Sequence, residues 1–423
     1  MISENQKGYV EIEQCRICGN RELVSILSLG TQYLTGVFPD RADDHLTHGP
    51  LELVKCNVTD DREHCGLIQL RESYNPKELY GDNYGYRSSL NRSMVDHLQE
   101  LVQELLKTVS LRDGDIVLDI GSNDGTLLSL YPEKGPLLIG IDPTAHKFCK
   151  FYKPHIQLLA DFFSADRFRQ SYGDQKARIV TSISMFYDLE DPMAFMREIH
   201  EVLADDGIWL LEQSYLPLML SANAYDTICH EHLEYYALRQ IKFIADRTGF
   251  KVINVRLNDI NGGSFAVTIA KNGSAHNPKS AEVEKLLGAE KCLDSRETFA
   301  LFKERVYSHR SDLLRLIRGI KQRGERILGY GASTKGNVIL QFCDLTQREL
   351  DSIAEVNPEK YGRLTPGTWI PIISEEEARS MYPDYFLVMP WHFKQNFLHR
   401  ESNFLQGGGK LIFPLPEIEV VSR

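Results

Sequence analysis

Four cysteines near the start of this chain have the chemistry and spacing of a metal site: Cys15-x2-Cys18, then Cys56-x8-Cys65. Four thiolates suit a borderline-soft ion with tetrahedral coordination, and zinc is that ion. A two-residue gap lets one tight turn present both sulfurs, with Gly19 supplying the turn. The second pair is wider than usual and requires TDDREH to loop out between its ligands. Four cysteines leave no open coordination position, so the metal is expected to staple a unit too small for its own core. The rival is a redox CxxC, which belongs after a strand in a βαβ unit, and no such pattern surrounds Cys15.

A second locus follows the apolar run IVLDIG, which leads straight into GSNDGT. Gly121 and Gly125 bracket a turn at which backbone must come close to a ligand, with Asn123 between them. The expected helix TLLSLY then offers free N–H groups to a carboxylate. The next run, LLIGIDP, ends in Asp142, where a carboxylate accepts from both hydroxyls of a ribose. Asp161, Phe162 and Phe163 close a third run, suited to an adenine amino group and the face of its ring. A dinucleotide is the competing ligand, but its fingerprint G-x-G-x-x-G lacks the second glycine in G-S-N-D-G-T. With Asp119 ahead of the turn, the spacing resembles the donor motif of class I methyltransferases, and S-adenosylmethionine is the expected cofactor.

The most concentrated polar cluster is YDTICHEHLEYY, residues 225–236. His230 and His232 flank Glu231, shortly after a fifth strand-like run ending in LLEQ. Strand carboxyl ends face the ligand crevice in a doubly wound sheet, and an imidazole there is a suitable general base. Methyl transfer to carbon needs such a base, because a proton next to a ketone must leave first and donors must hold the enolate oxygen. The alternatives are a satisfied structural network or a metal site. The latter is disfavoured because His-x-His places its rings on different faces of a helix and is not H-E-x-x-H.

Near the C-terminus, GYGAS leads into Lys335-Gly336-Asn337, a glycine turn and helix start able to hold a diphosphate, with Lys335 and Asn337 as contacts. Glu355, closing the following run, is placed to meet a ribose. A second dinucleotide site and a packing module without ligand are the competing readings.

These loci require elements to carry them. The chain has 423 residues, 42% apolar and 25% charged, which suits two to four globular domains. A net charge of −11 disfavours general nucleic-acid binding. No basic start with an apolar run and no membrane-length apolar stretch is present, so a cytoplasmic protein away from the membrane is expected, one in which cysteines bind metal rather than pair. Residues 1–80 form the expected zinc unit. In 81–275, an amphipathic helix over SMVDHLQELVQELLKTV precedes alternating strands and helices, the signature of a mainly parallel sheet in an α/β fold. Residues 276–423 begin with a long charged helix and repeat the α/β alternation, expected as a Rossmann-like domain.

Taken in order, CRICG, CGLIQL, NYGYRSS, VLDIGSNDGTLL, the HEH cluster, GYGASTKGN, NPEKYGRLTPGTWIPI and LVMPWHF resemble the three-domain sugar C-methyltransferases over nearly the whole chain. These include 3-C-methyltransferases of nucleotide-linked 4-keto-6-deoxysugars. The resemblance implies a monomer that takes a nucleotide sugar. It implies His232 as base, Glu231 orienting sugar or base, and Tyr86 reaching towards the ketone, with Tyr84 and Ser88 of the same segment as substrate contacts. Members often carry a tyrosine three residues before the base, where this chain has Cys229. Tyr225 or Tyr235 are the candidate replacements. NGGSFAV stands where relatives have a GGSLR-like segment, leaving Gly262 and Gly263 without the arginine. The rivals are transfer to oxygen, nitrogen or a non-sugar carbon, a nicotinamide oxidoreductase, and a zinc-ribbon binding module.

Overall fold

The protein is described by a computed structural model covering residues 8–42, 45–59, 63–80 and 85–422. Its centre is a seven-stranded sheet. The strands are Ile116–Ile120 (β1), Leu137–Ile141 (β2), Ile156–Leu159 (β3), Ala177–Ile183 (β4), Leu203–Ser214 (β5), Phe250–Asn258 (β6) and Ser264–Lys271 (β7). Their order is β6-β7-β5-β4-β1-β2-β3. β1 to β5 run parallel, and β7 lies antiparallel between β5 and β6. β1 reads IVLDI and is buried at every position, as a strand covered on both faces must be. The chain builds outward from β1 to β3 and then returns to place β4 on the other side. A crevice therefore opens where β1 and β4 diverge, at their carboxyl ends. This is the expected α/β architecture of the class I methyltransferase fold.

Helix Arg92–Thr108 buries Met94, Leu98, Leu101, Val102 and Leu105, a stripe at helical spacing, and Asn91 caps it by accepting from the Ser93 N–H. That stripe packs on the sheet in a core with Val117, Ile179 and Ile208. The helix expected over TLLSLY does not form. The segment makes only the 3-10 turn Leu128–Leu130. Asp124 draws the Thr126 N–H and hydroxyl to its carboxylate (3.3 and 2.6 Å), and Pro132 follows too soon for a second turn.

The N-terminal unit is a four-stranded sheet ordered Glu234–Tyr235, Ile68–Leu70, His48–Cys56, Leu23–Tyr33. Its first strand comes from the middle of the chain. Within LEYY, which holds the candidate Tyr235, Glu234 pairs with Gln69 and Tyr235 with Ile68. Tyr9–Glu11 and Glu72–Tyr74 form a separate ribbon.

Helix Arg296–Gln322 leads to a six-stranded sheet of Ile327–Tyr330 (β8), Ile353–Glu355 (β9), Ile372–Ser374 (β10), Tyr385–Val388 (β11), Lys410–Phe413 (β12) and Glu419–Val421 (β13). The order β10-β9-β8-β11-β12-β13 is parallel except for β13, a Rossmann-like arrangement. One apolar core runs from Leu27 and Leu53 through Trp209 and Phe265 to Phe386 and Ile412, so the three sheets share one interior. Among the described residues, no helix is long and apolar enough to cross a membrane.

Candidate active site

The ligand atoms of Cys15, Cys18, Cys56 and Cys65 lie within 4.8 Å of one another. Cys15 Sγ is 3.4 Å from Cys65 Sγ, and Cys18 Sγ is 3.5 Å from Cys56 Sγ. A tetrahedron with zinc–sulfur bonds of about 2.3 Å has edges of roughly 3.8 Å, so the four donors fit the ion. The turn that presents the first pair closes with the Gly19 N–H on the Cys15 carbonyl (2.9 Å), and Gly19 has φ +71°, which a glycine adopts without strain. The second pair comes from opposite sides of a hairpin loop, because the Cys56 N–H bonds the Leu67 carbonyl (2.8 Å). This explains the wide spacing.

The turn after β1 has positive φ at Gly121, Asn123 and Gly125. Asp119 stands behind it. Thr181 on β4 donates to its Oδ1 (2.6 Å), and burial pushes its carboxyl up to about 7. Asp142 reaches the turn from β2. Its Oδ2 accepts from the Asn123 N–H (2.7 Å), and its Oδ1 accepts from the Thr144 N–H (2.6 Å) and hydroxyl (2.5 Å). Oδ1 is therefore filled and Oδ2 keeps one acceptor position, enough for one ribose hydroxyl rather than the two expected. Asp161 is exposed, two residues past the end of β3, and Phe162 beside it is 49% exposed. Sequence reading missed Tyr152. Its ring fills the space where a Cβ at Gly125 or Gly140 would fall, and its hydroxyl donates to the Asn123 carbonyl (3.0 Å) and meets the Ser122 hydroxyl (2.7 Å). The signal for it was the absence of any side chain at those two glycines.

The three members of the HEH cluster have different environments. His230 is fully buried. Its Nε2–H donates to the Gln32 carbonyl (3.2 Å), Tyr74 packs edge-on (4.6 Å), and burial holds its pKa down at about 3. It belongs to the seam with the N-terminal unit, which corrects its expected catalytic role. Glu231 is also turned to that unit: the Thr35 hydroxyl donates to it (3.4 Å), and its Oε1 occupies the space beside Gly36. His232 is partly exposed and lines a small cavity with Tyr187, Thr227, Glu234 and Tyr235. Its Nδ1–H donates to the Thr227 carbonyl (2.9 Å), which leaves Nε2 as an acceptor. Burial, with the Lys335 ammonium adding to it against the Thr227 bond, lowers its pKa to about 4. Tyr187, which the sequence did not flag, packs against the ring with centroids 4.3 Å apart and the planes tilted by 57°. Tyr187 lies on the loop after β4, whose Met185 packs over Gly121, so one loop touches both the turn and the imidazole. The signal was its position four residues beyond a buried strand end.

Tyr86 is half-exposed and its carbonyl accepts from Asn123 Nδ2 (3.1 Å), while the Ser88 N–H bonds Asn123 Oδ1 (3.1 Å). Tyr84 lies outside the described residues.

The C-terminal residues depart from expectation. Lys335 Nζ donates to the Asn261 carbonyl in the NGG turn (2.8 Å), so it crosses to the middle domain rather than guarding its own helix start. Asn337 is buried and donates to the Thr35 carbonyl (2.7 Å), a joint between the outer units rather than a ligand contact. The Glu355 carboxylate accepts from the N–H groups of Ala332, Val356 and Asn357 (2.7, 2.8 and 2.9 Å), filling the anion position at the GYGAS turn. Tyr225 is fully buried, with its hydroxyl shared by His309 Nδ1 (3.1 Å) and Cys343 Sγ (3.5 Å), which removes it as a replacement for the missing tyrosine. Tyr235 lines the His232 cavity, and its hydroxyl makes a long bond (3.4 Å) to the Thr227 carbonyl that also accepts from His232. Cys229 is fully buried. Gly262 lies against Trp391, so the NGG turn is a domain contact.

Three family matches divide the chain: residues 15–80 match a zinc binding domain, 90–255 a methyltransferase domain, and 259–416 a C-methyltransferase C-terminal domain. The C-methyltransferase NovU of Streptomyces niveus is 32% identical over 421 residues, 97% of each chain. Demethylspheroidene O-methyltransferase of Rhodobacter capsulatus is 23% identical over 198 residues, 42% of this chain and 46% of its own. Among solved structures, magnesium protoporphyrin IX methyltransferase of Synechocystis, with S-adenosylhomocysteine bound, aligns at 16% identity with a TM-score of 0.33 over 46% of this chain and 92% of that one.

Proposed function

The chain belongs to the family of zinc-containing, S-adenosylmethionine-dependent C-methyltransferases, and from that premise we propose that it methylates a nucleotide-linked 4-keto-6-deoxysugar at C-3, with His232 as the base. The observation that carries this reading is the His232 tautomer. With Nδ1–H committed to Thr227, Nε2 is a lone pair beside a loop that also packs on the Gly121 turn. Transfer to oxygen often needs little help from a base, whereas transfer to the carbon beside a ketone cannot begin until a base removes its proton.

When bound, the donor supplies an electrophilic sulfonium methyl. The residues of this chain do the rest. Nε2 takes the proton from the carbon next to the ketone, and the electron pair left behind spreads from that carbon to the carbonyl oxygen. The Lys335 ammonium and the Tyr235 hydroxyl are the groups assigned to that developing charge, Tyr235 standing in for the position that Cys229 vacates. Tyr86 orients the sugar, Glu231 anchors the segment carrying the base to the N-terminal unit through Thr35, and the Asn123 main chain with Asp142, Asp161 and Phe162 borders the donor. Placing base and acceptor in one crevice is worth several powers of ten in rate before any proton moves.

The environment of the base fixes the pH dependence. A pKa near 4 keeps His232 neutral through the physiological range. The acceptor kcat/KM is therefore expected to stay level from about pH 8 to 6 and to fall only below about pH 5, unlike a solvated imidazole titrating near 6.5. Initial rates in overlapping buffers test this, and an acid limb between pH 6 and 7 would remove the base assignment.

The acceptor itself is tested with nucleoside-diphosphate 4-keto-6-deoxysugars in deuterated water. Without donor, deuterium should enter at C-3. With donor, product spectra should show a methyl on that ring carbon and loss of its proton. A methyl on oxygen or nitrogen, or no exchange with any such sugar, would replace the proposal with one of the other acceptor classes.

A further inference from the structure

Asn123 has its main chain built into the donor turn and its side chain built into a different segment. Its N–H donates to Asp142 Oδ2 (2.7 Å), and its carbonyl accepts from the Tyr152 hydroxyl (3.0 Å). Its side-chain amide turns the other way. Oδ1 accepts from the Ser88 N–H and Nδ2 donates to the Tyr86 carbonyl, both at 3.1 Å. One amide thus serves alternate polar groups of an extended chain, as a neighbouring strand does. Asp124 adds to the grip, with Oδ2 accepting from the Ser89 N–H (3.2 Å) and lying 3.7 Å from Arg87 Nε. The amide is aimed there because Asn123 is left-handed, φ +51°, a conformation asparagine tolerates better than most side chains.

We propose that Asn123 is a positioning residue that couples the two substrates, so that the donor at the turn fixes the 86–89 segment and thereby tightens acceptor binding. The part concerning the acceptor rests on the reading above that Tyr86 faces the sugar. The link between turn and segment rests only on three hydrogen bonds, at Tyr86, Ser88 and Ser89, and on the Arg87–Asp124 ion pair. Coupling of this kind is reciprocal, so an acceptor that binds more tightly in the presence of donor must tighten donor binding by the same factor.

The test uses the full-length, zinc-loaded protein and Asn123→Gly. Glycine keeps the positive φ and removes the amide. Asn123→Asp is the second variant. It still accepts from Ser88 but sets a carboxylate oxygen against the Tyr86 carbonyl. S-adenosylhomocysteine affinity is measured by calorimetry, and amide exchange is followed over residues 86–90 with and without that ligand. In the wild type the ligand should slow exchange at Ser88 and Ser89. In both variants that response should vanish while the dissociation constant moves less than about threefold, and acceptor KM should rise about tenfold, more than kcat falls. Retained protection with an unchanged acceptor KM would overturn the proposal, and so would a tenfold loss of S-adenosylhomocysteine affinity, which would confine Asn123 to the donor. A lost exchange response in an enzyme that turns over no keto-sugar would leave the coupling standing and remove the acceptor assignment instead.

Discussion

Replacing His232 by Ala or Asn is expected to lower turnover by about a thousandfold or more while S-adenosylhomocysteine still binds, because positioned bases contribute about 10²–10⁴ in rate. The crevice for the donor is framed by β1, β2 and the loop after β4, and the imidazole meets the last of these at Tyr187. Neither variant removes a buried structural group. His232 is partly exposed, and the hydrogen bond from its ring to Thr227 is replaceable by water. The neighbouring His230 gives the contrast. It is sealed beneath Gln32 and Tyr74, so His230→Ala opens a cavity and should lower the melting temperature, whereas the His232 variants should melt within a few degrees of wild type. Single-turnover rates, calorimetry with S-adenosylhomocysteine and deuterium entry into the acceptor together separate binding from chemistry. Wild-type exchange in a His232→Ala protein would end the assignment, since proton removal would then belong to another group.

Removing the zinc should abolish activity by a different route. Structural zinc sites contribute about 10–16 kcal/mol in small peptides, comparable to or above the roughly 5–15 kcal/mol of a whole domain, so the N-terminal unit should unfold without its metal. That unit supplies the strand Ile68–Leu70 on which Glu234–Tyr235 pairs, and it packs on both His230 and Glu231 through Gln32 and Thr35. The base is thus held on one side by a sheet the zinc organises. Chelation, or Cys18→Ser at the half-buried corner of the cluster, should cut turnover at least about a hundredfold with donor binding at the middle sheet kept, and added zinc should restore the chelated protein but not the variant, which lacks a ligand. Elemental analysis, amide exchange over 23–74 and the rate of turnover read the three steps. A metal-free protein that turns over normally would show that the cluster holds nothing the active site needs.

How far the sequence could be read depended on how far each residue's partner lay along the chain. The Cys15–Gly19 knuckle and the Gly121–Gly125 turn announce themselves because their function is a backbone conformation set within five residues, and few side chains permit it. The alternation of buried strands and amphipathic helices disclosed the parallel sheet for the same reason, since periodicity is local. Partnerships were not visible in this way. LEYY has the composition of a catalytic tyrosine patch and becomes a strand because Ile68–Leu70 offers it an unpaired edge more than 160 positions earlier in the chain. Asn337 and Lys335 stand two residues apart, on opposite faces of a helix start, and one bonds Thr35 and the other Asn261.

By itself, then, the sequence determined the zinc ligands, the donor turn, the three-part α/β plan and the family. Only the tertiary structure decided which imidazole of the HEH run is accessible, that the Tyr225 hydroxyl is shared by two buried partners, and that Glu355, expected to meet a ribose, bonds the N–H groups of the GYGAS turn and of its own strand end instead. The reason is electrostatic as much as steric. A polar side chain is available for chemistry only if burial has not already obliged it to satisfy another polar group, and that demand comes from whatever the fold brings against it.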